Sequence, residues 1–187
     1  MLTQTKSLFI SAGHSARDPG AVGNGHTEAD IVLAFRDAVC DELDAKGIKY
    51  QRDGQKGENL PLRKAVQLAS QHDVAVEFHC NAFHAPTATG VETLSADSDR
   101  PLGEALCEAI SDTLTIANRG AKAEGSGQHS RLAFVSDGGG IIVELFFLTN
   151  PQDLAAYRQH RRALVSAIAR VLVDAITDEY DNWEDGT

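Results

Sequence analysis

The chain predicts a single α/β domain: a central sheet, mostly parallel or mixed, of about five or six strands with helices on both faces. Three observations point there. Short apolar runs bounded by turn residues alternate with longer stretches whose apolar residues recur every three or four positions, the pattern of strands joined by helices. The 187 residues, 42% of them hydrophobic and 24% charged, are enough for one substantial core. No internal repeat, Pro-rich stretch or Gly/Ser linker divides them, so one domain is expected over 1–177. The tail at 178–187 carries five acidic residues in ten and is expected to be frayed.

The first strand is read at Ser7 to Ser11, and the segment Ala12 to Thr27, rich in Gly, Asp, Asn and Pro, is a loop leaving it. Thr27 can cap a helix whose core face carries Ile31, Phe35, Ala38 and Val39, and Gly47 ends the pattern. Ile48 to Gln51 is a second strand. Asn59 is expected to cap a second helix, with Pro61 in its first turn and Leu62, Val66 and Ala69 as its apolar stripe. Val74 to Phe78 and Gly90 to Ala96 are further strands, and Leu102 to Leu114 is a third helix. A fifth strand, Ile141 to Leu145, is entered through Gly138, Gly139 and Gly140. The closing helix is expected from about Arg161 to Ile176, with Leu164, Ile168, Leu172 and Ala175 on one side. In sheets of this kind ligands gather at the carboxyl ends of the strands.

A net charge of -10 argues against a surface that grips phosphate backbones or anionic lipid, so nucleic acid is not an expected partner. The apolar run Leu8-Phe9-Ile10 is too short for a signal-peptide core or a membrane span, which implies synthesis in the cytoplasm and no membrane insertion. Cys40, Cys80 and Cys107 are widely spaced and odd in number, and read as buried free thiols. Neither a P-loop nor a glycine fingerprint opening a helix is present, which removes nucleotide binding.

The chemistry-bearing residues fall where strands end. His14 follows the first strand, His79 the third, Glu144 lies in the fifth, and Glu28 opens the first helix. Two imidazoles and a carboxylate make a common catalytic zinc set, with one position left for water, and a further carboxylate can then carry protons. Glu77 precedes His79 by two residues and shares its side of the strand, where it can orient a ligand or contact substrate. Cys80 faces the other side, which argues against a Cys-His nucleophile pair. Phe146 and Phe147 read as core. His26 and His84 flank the inferred site, and they receive no assigned role, nor do His72, His129 and His160.

The motifs together resemble the zinc-dependent N-acetylmuramoyl-L-alanine amidases (amidase type 3) of bacterial cell division and phage lysis. The resemblance runs nearly end to end: Gly13-His14, Asp18-Pro19-Gly20-Ala21, Gly23 to Glu28, Arg52-Asp53, Leu60 to Arg63, Glu77 to Ala82, Gly90-Val91-Glu92 and Ile141 to Asn150. It departs at Glu77, where the family often has serine, at Ser15 after His14, and at Gly138 to Gly140, where a proline is common. The resemblance implies Zn2+ on His14, Glu28 and His79, with Glu144 as catalytic base; Glu77, from its place on the strand, and Asn81 are expected to support a ligand or touch substrate. It implies peptidoglycan as substrate, and a phage endolysin released to the wall by a separate membrane-permeabilising protein. A host wall amidase, a zinc peptidase of the peptidoglycan stem and an inactive peptidoglycan-binding module are the alternatives.

Overall fold

Five consecutive buried residues, Leu8–Ala12 (β1), begin the main sheet, and burial on both faces is what a central parallel strand requires. The computed structural model describes residues 3–15, 17–126 and 131–177; the acidic tail at 178–187 and His129 lie outside the described residues. After β1 the chain makes a small hairpin, Val22–Gly23 (β2) and His26–Thr27 (β3), turning through Asn24-Gly25 with both residues at positive φ. Asn-Gly is a strong signal for such a turn, and the expected loop concealed it.

Helix α1 (Glu28–Ala45) starts as expected, the Thr27 side chain accepting the Asp30 N–H. There follow Gln51–Arg52 (β4), Leu62–Ala69 (α2), Val74–Asn81 (β5), Val91–Ser95 (β6), Arg100–Leu114 (α3), Asn118–Ala123 (β7), Ala133–Ser136 (α4), Ile141–Phe147 (β8) and Pro151–Ile176 (α5). Strand order in the six-stranded sheet is β4-β1-β5-β8-β6-β7, parallel throughout except where β6 runs against β8. The single α/β domain with a mixed, mostly parallel sheet agrees with the sequence.

Several elements differ from expectation. The second strand shrinks to Gln51–Arg52 and shifts past Ile48. Strand β7, Asn-Arg-Gly-Ala-Lys-Ala, carries no apolar alternation and forms because an edge strand needs only one backbone partner, here β6. Helix α5 begins ten residues before Arg161. The Asn150 side chain accepts the N–H groups of Gln152 and Asp153, and Pro151 fills the first turn. Asn59 caps nothing: α2 follows Pro61 without a side-chain cap. Leu62 stays 56% exposed, and α2 buries Ala65 and Ala69 instead.

The alternation of each strand divides the molecule into two faces. Ile10, Val76, Phe78, Val143 and Leu145 point into a large apolar layer closed by α1, α3 and α5. Phe9, Ala75, Ile142 and Leu94 point the other way, under Ala65 and Ala69 of α2 and Phe134 and Val135 of α4. These two helices have eight and four residues, and they cover only the beginnings of β1, β5 and β8. The carboxyl ends of those strands stay open on this face.

Candidate metal centre

At that opening His14, Glu28 and His79 offer ligand atoms that all lie within 4.8 Å of one another. Glu28 stands between the imidazoles: Oε2 is 3.1 Å from His14 Nε2, and Oε1 is 3.0 Å from His79 Nδ1. Two backbone N–H groups, of Ala21 and Cys80, donate to the same carboxylate at 2.9 Å each. Burial pushes the Glu28 carboxyl up, but the imidazole hydrogen bonds outweigh it and hold the group well below the usual carboxylate range. The His14 pKa is raised, chiefly by Glu28. For His79 burial pulls down, yet Glu28 and Glu77 carry the pKa well above its ordinary value. A cation placed among these atoms would meet the same attractive field.

The outward ring nitrogen of each imidazole also rests on a carboxylate. Asp18 Oδ2 lies 3.0 Å from His14 Nδ1, and Glu77 Oε1 lies 3.0 Å from His79 Nε2. Such pairs fix the ring and raise its basicity as a ligand. Glu77 is itself held by the Ser11 hydroxyl at 2.9 Å, which also sits 3.2 Å from Asp53, whose carboxyl burial raises to about 6. His14 has φ 63, rare without glycine, and its loop is strapped in place. The Asn59 amide donates to the carbonyls of Ala12, Gly13 and His14 at 3.0, 3.3 and 2.8 Å, and its oxygen faces the fully buried Arg36 at 3.3 Å. A Cβ on Gly13 would lie 2.1 Å from the His79 ring, and one on Gly20 would lie 2.6 Å from Glu28 and from His14. Only glycine leaves room for the cluster.

Glu144 occupies the same wall. Its Cα pairs with His79 on β5 and with Glu92 on β6, so the three side chains stand in one row across the sheet. Burial pushes its carboxyl up to about 7, with His79 opposing and Glu28 and Glu92 adding to the rise. Its Oε2 is buried without a hydrogen-bond partner among the described residues. His14, Glu28, His79 and Glu144 all line one cleft of about 730 Å³, together with Asn81, Phe83, Glu92, Arg119, Lys122 and Phe147.

The four residues singled out in the sequence therefore meet, although His79 lies within β5, not beyond it. Asn81 points along the cleft wall, donating to Glu92 Oε1 at 3.0 Å. His26 turns to Arg158 and His84 packs at a tilt against the Phe83 ring, and neither lines the cleft. Phe146 is core, whereas Phe147, though buried, also forms cleft wall. Cys80 is buried on the opposite face in the large apolar layer, as are Cys40 and Cys107. Asp18 was visible only as part of a turn, and Asn59 only as a cap. Arg119 and Lys122 sit on the strand that hydropathy does not reveal.

The family model described as N-acetylmuramoyl-L-alanine amidase matches residues 8–178. A crystal structure of a Neisseria meningitidis protein, provisionally described as an N-acetylmuramoyl-L-alanine amidase, superimposes with a TM-score of 0.83. It is 38% identical, and the match covers 91% of this chain and 95% of that one. The uncharacterised protein YqiI of Bacillus subtilis is 30% identical over 186 residues, 94% of this chain and 85% of YqiI. The N-acetylmuramoyl-L-alanine amidase LytC of the same organism is 26% identical over 163 residues, 82% of this chain but 32% of the longer LytC.

Proposed function

The chain belongs to the N-acetylmuramoyl-L-alanine amidase family, and from that premise we propose that it is a zinc-dependent hydrolase of the amide between N-acetylmuramic acid and L-alanine in peptidoglycan. The observation that carries this reading is the row His79, Glu144, Glu92 beside His14 and Glu28, with Glu144 lining the same cleft and one of its oxygens buried without a hydrogen-bond partner among the described residues. The donor set suits zinc: two imidazoles, one carboxylate, a carboxylate behind each ring, and glycines where any side chain would intrude.

His14, Glu28 and His79 would hold the zinc, which would supply Lewis-acid polarisation of the lactyl carbonyl and acidification of water. Glu144 takes the proton of the attacking water as the new C–O bond forms, then delivers it to the alanine nitrogen as the C–N bond breaks. A carboxyl near pH 7 is matched to both halves of that transfer. Asp18 and Glu77 keep the imidazoles facing inward while the proton moves. Glu28, ionised across the working pH range, cannot compete for it.

Digestion of purified wall tests the reading. New amino termini should appear at L-alanine, with about one zinc per chain by elemental analysis. Termini inside the stem would identify a peptidase, and binding without release would identify a recognition module. The lytic, phage-type role follows from the resemblance of the motifs to lysis enzymes and is tested in cells. Expression should be tolerated until the inner membrane is permeabilised, and lysis without any breach would remove that role. Among the described residues no helix is long and apolar enough to cross a membrane.

A further inference from the structure

Strand β7 contains an irregularity that the proposed chemistry does not use. Arg119 and Lys122 are three residues apart, and on a regular strand such residues face opposite sides. Here the pairing runs Val91↔Asn118 and then Thr93↔Ala121, so β7 holds one residue more than β6 over that step. Gly120, at φ +79, takes up the extra residue, and its N–H is pinned by Asn118 Oδ1 at 2.8 Å. Bulges beside active sites commonly re-aim a side chain. This one turns both cations onto one atom: Arg119 Nε and Lys122 Nζ reach Glu92 Oε2 at 2.5 and 2.7 Å, inside the cleft that holds His79 and Glu144.

Two cations on one carboxylate oxygen leave donors unspent. Arg119 uses only Nε on Glu92, and its ring-side contact is with Phe147, whose centroid lies 5.0 Å from the guanidinium carbon. Among the described residues the Nη1 and Nη2 fork of Arg119 has no hydrogen-bond partner, and Lys122 has one for its three protons. The other acid lining the cleft at this end, Glu124, accepts from the Leu132 N–H and the Ser136 hydroxyl and bonds neither cation. A planar fork beside an ammonium is fitted to a carboxylate.

Resting on the amidase reading, we propose that Arg119 and Lys122 form a subsite for a free carboxylate of the stem peptide, carried by the residue after L-alanine. Glu92 lies one strand from Glu144, a step of about 5 Å. A carboxylate one residue beyond the scissile amide lies within about 7 Å of it in an extended chain. The glycan side of the bond offers hydroxyl and acetamido groups and no comparable anion, so the cationic end sets which way the substrate lies. Asn81 holds Glu92 Oε1, which keeps the carboxylate from swinging into the subsite.

The test compares two soluble N-acetylmuramoyl-tripeptides, identical except that the α-carboxylate of the second residue, a glutamate, is free in one and a primary amide in the other. The wild-type protein should cleave the acid with kcat/KM about tenfold higher, mainly through KM, and the preference should shrink at high salt. Arg119→Gln and Lys122→Gln, singly and together, should lose more on the acid than on the amide, so that the preference falls towards one. Thermal unfolding of each variant checks the strand, and Lys122→Gln keeps the Arg119–Glu92 pair should the double variant fail to fold. Equal cleavage of both substrates by wild type, or equal losses on both in the variants, would overturn the subsite and leave only a staple for β7. No cleavage of either tripeptide at L-alanine would overturn the amidase reading and this inference with it.

Discussion

The two faces of the sheet are built from the same strands and have opposite characters. On β5, Val76, Phe78 and Cys80 point into the layer sealed by α1, α3 and α5, while Glu77 and His79 point to the face that α2 and α4 leave partly open. On β8, Val143 and Leu145 are buried in apolar contact, and Glu144 between them lines the cleft. Period two thus assigns stability to one face and chemistry to the other, residue by residue. The sealed side tolerates no cavity and contributes no reacting group. The open side carries a dense set of polar groups, most of them held by a specific partner while a Glu144 oxygen has none among the described residues, and the long helices opposite make that arrangement affordable.

Neighbours on β5 give the largest contrast. His79→Ala should abolish zinc binding and wall hydrolysis together, because it removes a ligand. It should keep a cooperative thermal transition, since Glu28 retains the Ala21 and Cys80 N–H groups and His14. Phe78→Ala, one residue away, should lose about 3–5 kcal/mol of stability, because it empties a fully buried site beside Phe35. Zinc content and unfolding midpoint measured on both variants decide the matter. A His79→Ala protein that holds zinc would break the division between the faces.

Glu144→Gln should lower turnover by at least ~100-fold while zinc and fold persist. It also has a pH signature. The Glu144 carboxyl is raised from 4.5 to about 7, so the folded state favours its protonated form. That contribution is fully present below the unfolded value and is lost as pH rises through about 7. Metal-free Glu144→Gln has no such loss. It should therefore gain stability relative to metal-free wild type between pH 5 and 8, by on the order of 2 kcal/mol. A pH-independent difference would show that Glu144 ionises freely in the fold.

The sealed face was the more legible in the sequence, because apolar periodicity is a property of the chain alone. The helix stripe Ile31, Phe35, Val39 and the run Ile141 to Leu145 could be read directly. The four residues of the centre were legible for a different reason: they lie after a strand, within strands or at a helix start, in motifs that together resemble those of a known amidase family. What remained hidden depends on partners far along the chain. Asn59 looked like a cap, and the carbonyls it holds lie about 45 residues earlier, at Ala12, Gly13 and His14. Strand β7 has no hydropathy pattern, so the convergence of Arg119 and Lys122 on Glu92 required the bulge to be seen.

Asn59→Ala sharpens the contrast at smaller scale. It removes no ligand, yet it frees three carbonyls that keep His14 at positive φ. Zinc affinity should fall about tenfold, the low end for losing an outer partner of a ligand. Competition with a chelator measures it. An unchanged affinity would show that the Ser15–Asp18 backbone pair alone holds the loop.

The smallest effect is expected at Cys80, which touches the centre through its backbone and the core through its side chain. Its N–H donates to Glu28 Oε1 at 2.9 Å, a bond that any non-proline residue supplies. Its thiol is buried against the apolar layer, and burial, with Glu28 and Glu144 adding to it, pushes the pKa well above the ordinary value. The raised pKa disfavours a thiolate, and with its side chain in the apolar layer and not among the candidate ligands the sulfur is expected to be neither nucleophile nor ligand. Cys80→Ala should cost about 1 kcal/mol through a small cavity and leave zinc content and turnover within about twofold of wild type. Thiol-directed reagents should leave the folded protein active. Loss of activity in a Cys80→Ala protein that is folded and zinc-loaded would place the sulfur in the chemistry, and the division of β5 into a sealed and a reactive face would then fail at its closest pair.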